Sequence, residues 1–229
     1  MSPPDPSRRR VAAVFGLTLL EVIRAQDLPE EILQDEDPTV TMPRRLGLSD
    51  VVDRQIRQYR EAVKKRRRMT DTEVIDLMRL VLRRPDSEQV FLKAGEALAG
   101  TKRSGPGRIA RALSPGVSFR FARRRTSRRL RQLFGRQIGG FAAEPFALEG
   151  RSLIFYQSDP GGDACAFVTG LCQTILAAAV GDGVEVVHSQ CQSRRDGQCR
   201  WTATADVLVR DREREGVGKN LLGPEFEAG

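Results

Sequence analysis

All four cysteines and the only histidine of this 229-residue chain fall between Cys165 and Cys199. No other feature limits the fold and the chemistry as strongly. The order is Cys165, 22 residues, His188, two residues, Cys191, seven residues, Cys199. Thiolate and imidazole form the tetrahedral shell that Zn²⁺ favours, and a shell closed by four protein ligands is structural because no position remains for water or substrate. Such a site would pin the start of a helix, at Cys165, to a hairpin with His188 and Cys191 at the exit of its first strand and Cys199 at the entry of its second. One geometric condition applies. Residues three apart in a regular strand point to opposite faces, so His188 and Cys191 meet only if the strand has ended or bulged by Ser189 or Gln190. Cys172 is seven residues after Cys165, two helical turns on, and reads as a buried core thiol. The alternative to the metal is four reduced, buried cysteines beside an incidental histidine. Disulfides fit less well, because no convincing secretory leader precedes them.

A single histidine excludes a good deal. A Ser-His-Asp hydrolase would have to use His188, and HExxH metalloproteases need a second histidine. No GxxxxGK[ST] loop and no GxGxxG after a strand is present. No run approaches the roughly 18 apolar residues of a membrane span. Val11 to Leu20, behind Arg8–Arg10, superficially resembles a leader. Glu21 and Arg24 follow at once without a small-x-small cleavage site, so an amphipathic helix in a cytoplasmic protein is the reading.

Hydrophobic periodicity and punctuation then divide the chain. Residues 1–48 comprise a Pro-rich start, a helix over about Val11–Ala25 and an acidic connector with six acids between Asp27 and Asp37. Residues 49–85 form a basic helical extension: Ser49 caps a helix to about Arg68 with Val52, Ile56, Tyr59 and Val63 on one face, and Thr70 with Glu73 forms a capping box for the next. Pro85 stops that helix. Residues 86–210 carry a helix with Val90, Phe91, Ala94 and Leu98, a linker at Gly100–Gly107, and a helix opened by Ser114-Pro115 with Phe119, Ala122, Thr126, Leu130 and Leu133 on its inner face. Phe141–Leu148 and Leu153–Tyr156 read as strands, Asp163 as the cap of a helix to about Val180, and Val184–Ser189 with Arg200–Val209 as a hairpin. Residues 211–229 read as a flexible tail. The expected class is α+β, an antiparallel sheet packed against helices, with a mainly helical N-terminal extension.

The segments Cys165-Ala166-Phe167-Val168-Thr169-Gly170, Val184 to Cys191 and Asp196-Gly197-Gln198-Cys199-Arg200-Trp201 resemble the 4-vinyl-reductase domain family. The resemblance covers roughly residues 86–210 and rests on the last thirty or so. It is closest to sensor domains of bacterial activators that respond to aromatic compounds, and more distant from transport-protein-particle subunits. In the zinc-bearing sensors the ligands are three cysteines and a glutamate. By motif these fall on Cys165, Cys191 and Cys199, with His188 at the glutamate position. Arg195 stands where the family usually has Gly. The resemblance also implies a homodimer and a cavity between sheet and helices for a small apolar ligand, with Phe141, Phe146, Ile175, Val186 and Trp201 as candidate lining. The family's name adds a weaker reading, an accessory factor in tetrapyrrole reduction. The implied activity is regulatory, and no acid–base pair is poised for catalysis.

Net charge is +8, from 38 Lys and Arg against 30 Asp and Glu. Eight arginines lie between Ser118 and Arg136 without an acid among them. Arg123, Arg124, Arg125, Arg128 and Arg129 are the candidates for an anionic partner, whether nucleic acid, an anionic membrane surface or an acidic protein. A solvated face, or one covered by the acidic connector, is the competing explanation.

Overall fold

A computed structural model describes residues 9–27, 50–100, 115–142, 145–151, 154–181 and 183–205. Among them are β1 (Arg9–Ala12), α1 (Ala13–Asp27), α2 (Asp50–Lys64), β2 (Arg68–Thr70), α3 (Asp71–Val81), α4 (Ser87–Leu98) and α5 (Pro115–Phe134). There follow β3 (Gly140–Phe141), β4 (Ala147–Gly150), α6 (Ile154–Ser158), α7 (Ala166–Ala179), β5 (Val184–Gln190) and β6 (Cys199–Ala205). β1 and β2 form an antiparallel pair, and the other strands make an antiparallel sheet in the order β3-β4-β6-β5. The fold is α+β. The Pro-rich start, most of the acidic connector, the caps Ser49 and Ser114, residues 101–107 of the linker and the tail lie outside the described residues.

Local chemistry accounts for most of the helices. Thr70 Oγ1 accepts from the Glu73 amide at 3.1 Å while the Glu73 carboxylate accepts from the Thr70 amide at 2.7 Å, the reciprocal capping box that satisfies two otherwise unpaired donors. Ile56 is buried, and Val52, Tyr59 and Val63 pack against the same core. On α5, Phe119, Ala122, Thr126, Leu130 and Leu133 all face inward. The core is one contiguous cluster from Val11 to Trp201, so α1 to α3 pack into the same interior as the sheet and α7. At its centre Phe15, Phe134, Phe155 and Phe167 meet with ring centroids 5.1 to 5.9 Å apart, mostly edge to face, the arrangement that aromatic quadrupoles favour.

Three expected elements differ. Phe141–Leu148 is a β3–β4 hairpin rather than one strand, with the Ala142 amide donating to the Ala147 carbonyl. The segment expected as a second strand, Leu153–Tyr156, is helical from Ile154 to Ser158, with Leu153 outside the described residues. Its apolar run is too short for its period to show, and Ile154 and Phe155 are buried on the helix side of the core. Asp163 does not cap the late helix through its own side chain. A 3-10 turn over Asp163–Cys165 precedes α7, and the Asp163 carboxylate instead accepts from the Ser87 hydroxyl at the start of α4, 2.8 Å away. The capping role passes to buried Asp159, whose two oxygens accept from the amides of Gly161 and Ala164, each at 2.7 Å.

Two contacts position the site. α4 and α7 cross where Gly95 faces the Phe167 carbonyl and Gly170 faces the Leu92 carbonyl, each so close that a Cβ would run into backbone oxygen. On the sheet's outer edge the Gln173 side chain donates to the Val184 carbonyl at 2.7 Å and accepts from the Val186 amide at 2.8 Å. It thereby acts as a short neighbouring strand for β5 and fastens that edge to α7. In an ordinary helix Gly→Ala stabilises by about 0.4–1 kcal/mol. For Gly95→Ala and Gly170→Ala the sign reverses, with an expected loss of about 1–3 kcal/mol in denaturant unfolding from overpacking.

Candidate metal centre

The candidate centre is assembled from both sides of the α7–hairpin junction. Cys165 is the residue just before α7 and is buried. His188 is on β5, opposite Trp201 of β6, and its ring stacks on the indole at 4.5 Å between centroids and 7° between planes. The Trp201 Nε1–H donates to Thr169 Oγ1 of α7 at 3.2 Å, which anchors the indole that the imidazole lies on. Cys199 opens β6. Between His188 and Gln190 the register slips, because His188 pairs with Trp201 while Gln190 already pairs with Arg200. That bulge supplies the turn of the backbone that lets His188 and Cys191 converge, the condition set by strand geometry.

The result is a compact donor set. One ligand atom from each of Cys165, His188, Cys191 and Cys199 lies within 4.8 Å of every other, and these four residues could hold a metal ion. Cys165 Sγ and Cys199 Sγ are 4.0 Å apart. A tetrahedron with arms of about 2.3 Å to sulfur has edges of roughly 3.8 Å. All three cysteines are buried, and His188 Nε2 is a buried nitrogen without a hydrogen-bond partner, the kind of orphan a metal would satisfy. Cys172 is fully buried on α7 and stands apart from the cluster. Burial pushes its thiol well up, as befits a core residue.

The surrounding loop favours thiolate at Cys199. Its sulfur accepts from the Gln192 amide at 3.4 Å. The Cys165 thiol above all, and then the His188 imidazole and the Gln192 amide, hold the Cys199 thiol well below its ordinary range against the opposing effect of burial. The same sulfur–sulfur contact, together with burial, drives the Cys165 thiol upward. Metal ligation needs deprotonated thiols, so a cation bound here would displace the thiol protons. Cys191 is fixed by its amide, which donates to Asp196 Oδ2 at 2.6 Å, while its carbonyl accepts from the amides of Arg194 and Asp196. Arg195 takes up the left-handed conformation, φ 77°, that a glycine would adopt more cheaply, so the loop keeps its shape despite the arginine. Ser193 Oγ donates to the Asp159 carbonyl at 2.7 Å, tying the loop to the turn that leads into α7. Gly162 in that turn, at φ +97°, leaves the space next to Cys191 Sγ. Asp159, Gly162 and Asp196 support the centre in roles that sequence reasoning did not assign to them. The Asp-Pro-Gly-Gly and Asp-Gly turns were the visible signal, since Asp bonds nearby amides and Gly permits positive φ.

The other candidates are dispersed. Phe146, Ile175 and Trp201 are fully packed core side chains, filling the interface between sheet and helices where an apolar cavity was expected. Phe141 packs edge-on to Phe146 and borders a hollow beside α5. Val186 alone of the five lines the larger groove, of about 630 Å³, between the start of α4, α7 and β5. His188, Gly162 and Arg194 also border that groove, together with Asp86, Glu88, Leu92 and Glu185. Of the five arginines, three are engaged with backbone: Arg125 donates to the Gly100 carbonyl, Arg129 to the Leu98 carbonyl and Arg123 to the Ala142 carbonyl. Arg125 and Arg129 thus serve the C-terminal end of α4, where guanidinium groups suit the unpaired carbonyls. Arg124 and Arg128 are exposed. No helix among the described residues is long and apolar enough to cross a membrane.

No family model, curated protein or solved structure matches the chain. The reading of the centre therefore rests on its own geometry. A Cβ at position 162 would sit 2.9 Å from Cys191 Sγ on a backbone that L residues rarely adopt. Gly162→Ala is expected to destabilise the fold by about 1–3 kcal/mol and to weaken metal retention. Metal content after dialysis against a mild chelator, measured beside denaturant unfolding, checks both effects.

Proposed function

We propose that the chain is a zinc-stabilised, non-catalytic regulatory module of the 4-vinyl-reductase type, a homodimer that binds a small molecule with an apolar body. The observation that carries the reading is the convergence of four sulfur and nitrogen donors within 4.8 Å of one another, a group that includes no carboxylate among the described residues. Ca²⁺ and Mg²⁺ take oxygen ligands, whereas thiolate with imidazole suits Zn²⁺. Zinc bound there supplies cohesion: it neutralises buried thiolates and joins α7 to the hairpin. With four protein ligands the shell is full, so the ion is given no substrate to activate.

The groove next to the centre is the ligand site in this reading. Its volume lies within the roughly 300–1,000 Å³ typical of small-molecule sites. Pro85, Leu92, Ala166, Val186 and Val187 supply apolar wall, while Asp86, Glu88, Glu185 and Arg194 supply polar contacts at the rim. Because His188 belongs both to the donor set and to the groove, and Gly162 of the groove lies against Cys191 Sγ, a bound cation would also set the shape of the binding surface. Phe146, Ile175 and Trp201 fill the interior where the resemblance implies a cavity, which favours the groove as the ligand site in this reading.

Protein purified in reductant is expected to carry one zinc per chain by metal analysis. Cys199→Ser or His188→Ala should abolish retention at a cost of at least about 3 kcal/mol, because metal loss is a large stability term. For a chain of this size that is a fall in Tm of roughly 6–12 °C. Cys172→Ala should keep the zinc. Metal-free protein whose unfolding ignores both chelator and these substitutions would overturn the proposal. Native mass spectrometry of the same sample reads subunit number and any bound small molecule.

A further inference from the structure

The arginines of α5 divide into two sets by their partners. Arg123, Arg125 and Arg129 point toward the body of the protein and donate to backbone carbonyls. Arg120, Arg124, Arg128 and Arg131 are exposed and follow one another by four, four and three residues, so they form a single outward stripe. At 1.5 Å per residue the stripe runs about 16 Å along the helix. α5 contains no acidic residue, and these four guanidinium groups have no hydrogen-bond or ion-pair partner among the described residues. Beside the stripe lies a hollow of about 460 Å³ bordered by Arg123, Arg124, Ser127, Arg128, Arg131 and Phe141. Its rim carries four positive charges and a hydroxyl, and no carboxylate.

We propose that this outward face of α5, with the adjoining hollow, binds the phosphate backbone of double-stranded nucleic acid. Guanidinium groups bind phosphate oxygens in pairs and tolerate a repeating ladder of them. A surface of this kind positions a duplex without reading its sequence. Other anionic partners fit less well. A helix lying on a membrane buries an apolar face in the lipid, but the apolar face of α5, with Phe119, Ala122, Leu130 and Leu133, is spent in the core. Single strands need aromatic faces to stack on. Phe141 is the one aromatic at the hollow, and the Arg123 guanidinium already lies over its ring at 5.2 Å.

The test is fluorescence anisotropy of a labelled duplex of about 20 base pairs with the full chain, from about 50 to 200 mM salt. Binding is expected at the low end and should fall steeply as salt rises. R124A/R128A/R131A should weaken binding at low salt at least tenfold and flatten the plot of log affinity against log salt by about 3, roughly 0.9 for each phosphate no longer neutralised. R124K/R128K/R131K, which keeps the charges, should keep the slope. R120A alone should flatten it by about 1, and circular dichroism melts confirm that each variant is folded. Absence of duplex binding at 50 mM, an unchanged slope in the alanine variant, or preference for phosphatidylserine vesicles or polyglutamate over the duplex would overturn the proposal. The readout needs no ligand in the groove, so it stands or falls apart from the regulatory reading.

Discussion

Three buried sulfurs and an imidazole brought within 4.8 Å of one another are an unusual thing for a chain to assemble without a cation. The close approach of the buried sulfurs favours the charged form at Cys199 and the neutral form at Cys165. Much of the second half of the chain is arranged to keep these atoms converged. The bulge in β5 turns Cys191 toward His188, the Asp196 carboxylate accepts from the Cys191 amide, Cys199 Sγ accepts from the Gln192 amide, and the Trp201 ring carries the imidazole. The Asp159 turn then joins the loop to the helix that starts beside Cys165.

That junction is built on a scaffold whose tolerance is small. The approach of α4 to α7 leaves no room for a methyl group at Gly95 or Gly170. The same approach fixes one wall of the groove, since Leu92 and Thr169 lie on the two helices. Gln173 binds the exposed edge of β5 to α7, so the strand bearing His188 is held from its outer side as well as by β6. The groove thus links the candidate centre, through His188, to the helix crossing, through Leu92.

How much of this could be read from the sequence depended on how local each cause was. The capping box at Thr70 and Glu73 needs only four residues and was legible, as were the inward faces of α2 and α5, whose periods repeat over several turns. The convergence of the four sulfur and nitrogen donors was legible because rare residue types clustered, and strand geometry even stated the bulge that the hairpin would need. The β1–β2 pair was not, because Arg9–Ala12 and Arg68–Thr70 are too short to show a period and are defined by each other across the chain. Ile154–Ser158 failed for the same reason of length. Charge runs misled in a different way. Nothing in the order of the arginines separates Arg125 and Arg129, which serve the carbonyl end of α4, from Arg124 and Arg128, which face outward, until the partner helix is in place.

X-ray absorption at the zinc edge of the purified full chain examines the first coordination shell directly. Three sulfur neighbours at about 2.3 Å and one nitrogen at about 2.0–2.1 Å are the expected result. A shell of oxygen or water ligands, or a metal that persists after Cys165, Cys191 and Cys199 are all replaced by serine, would contradict it.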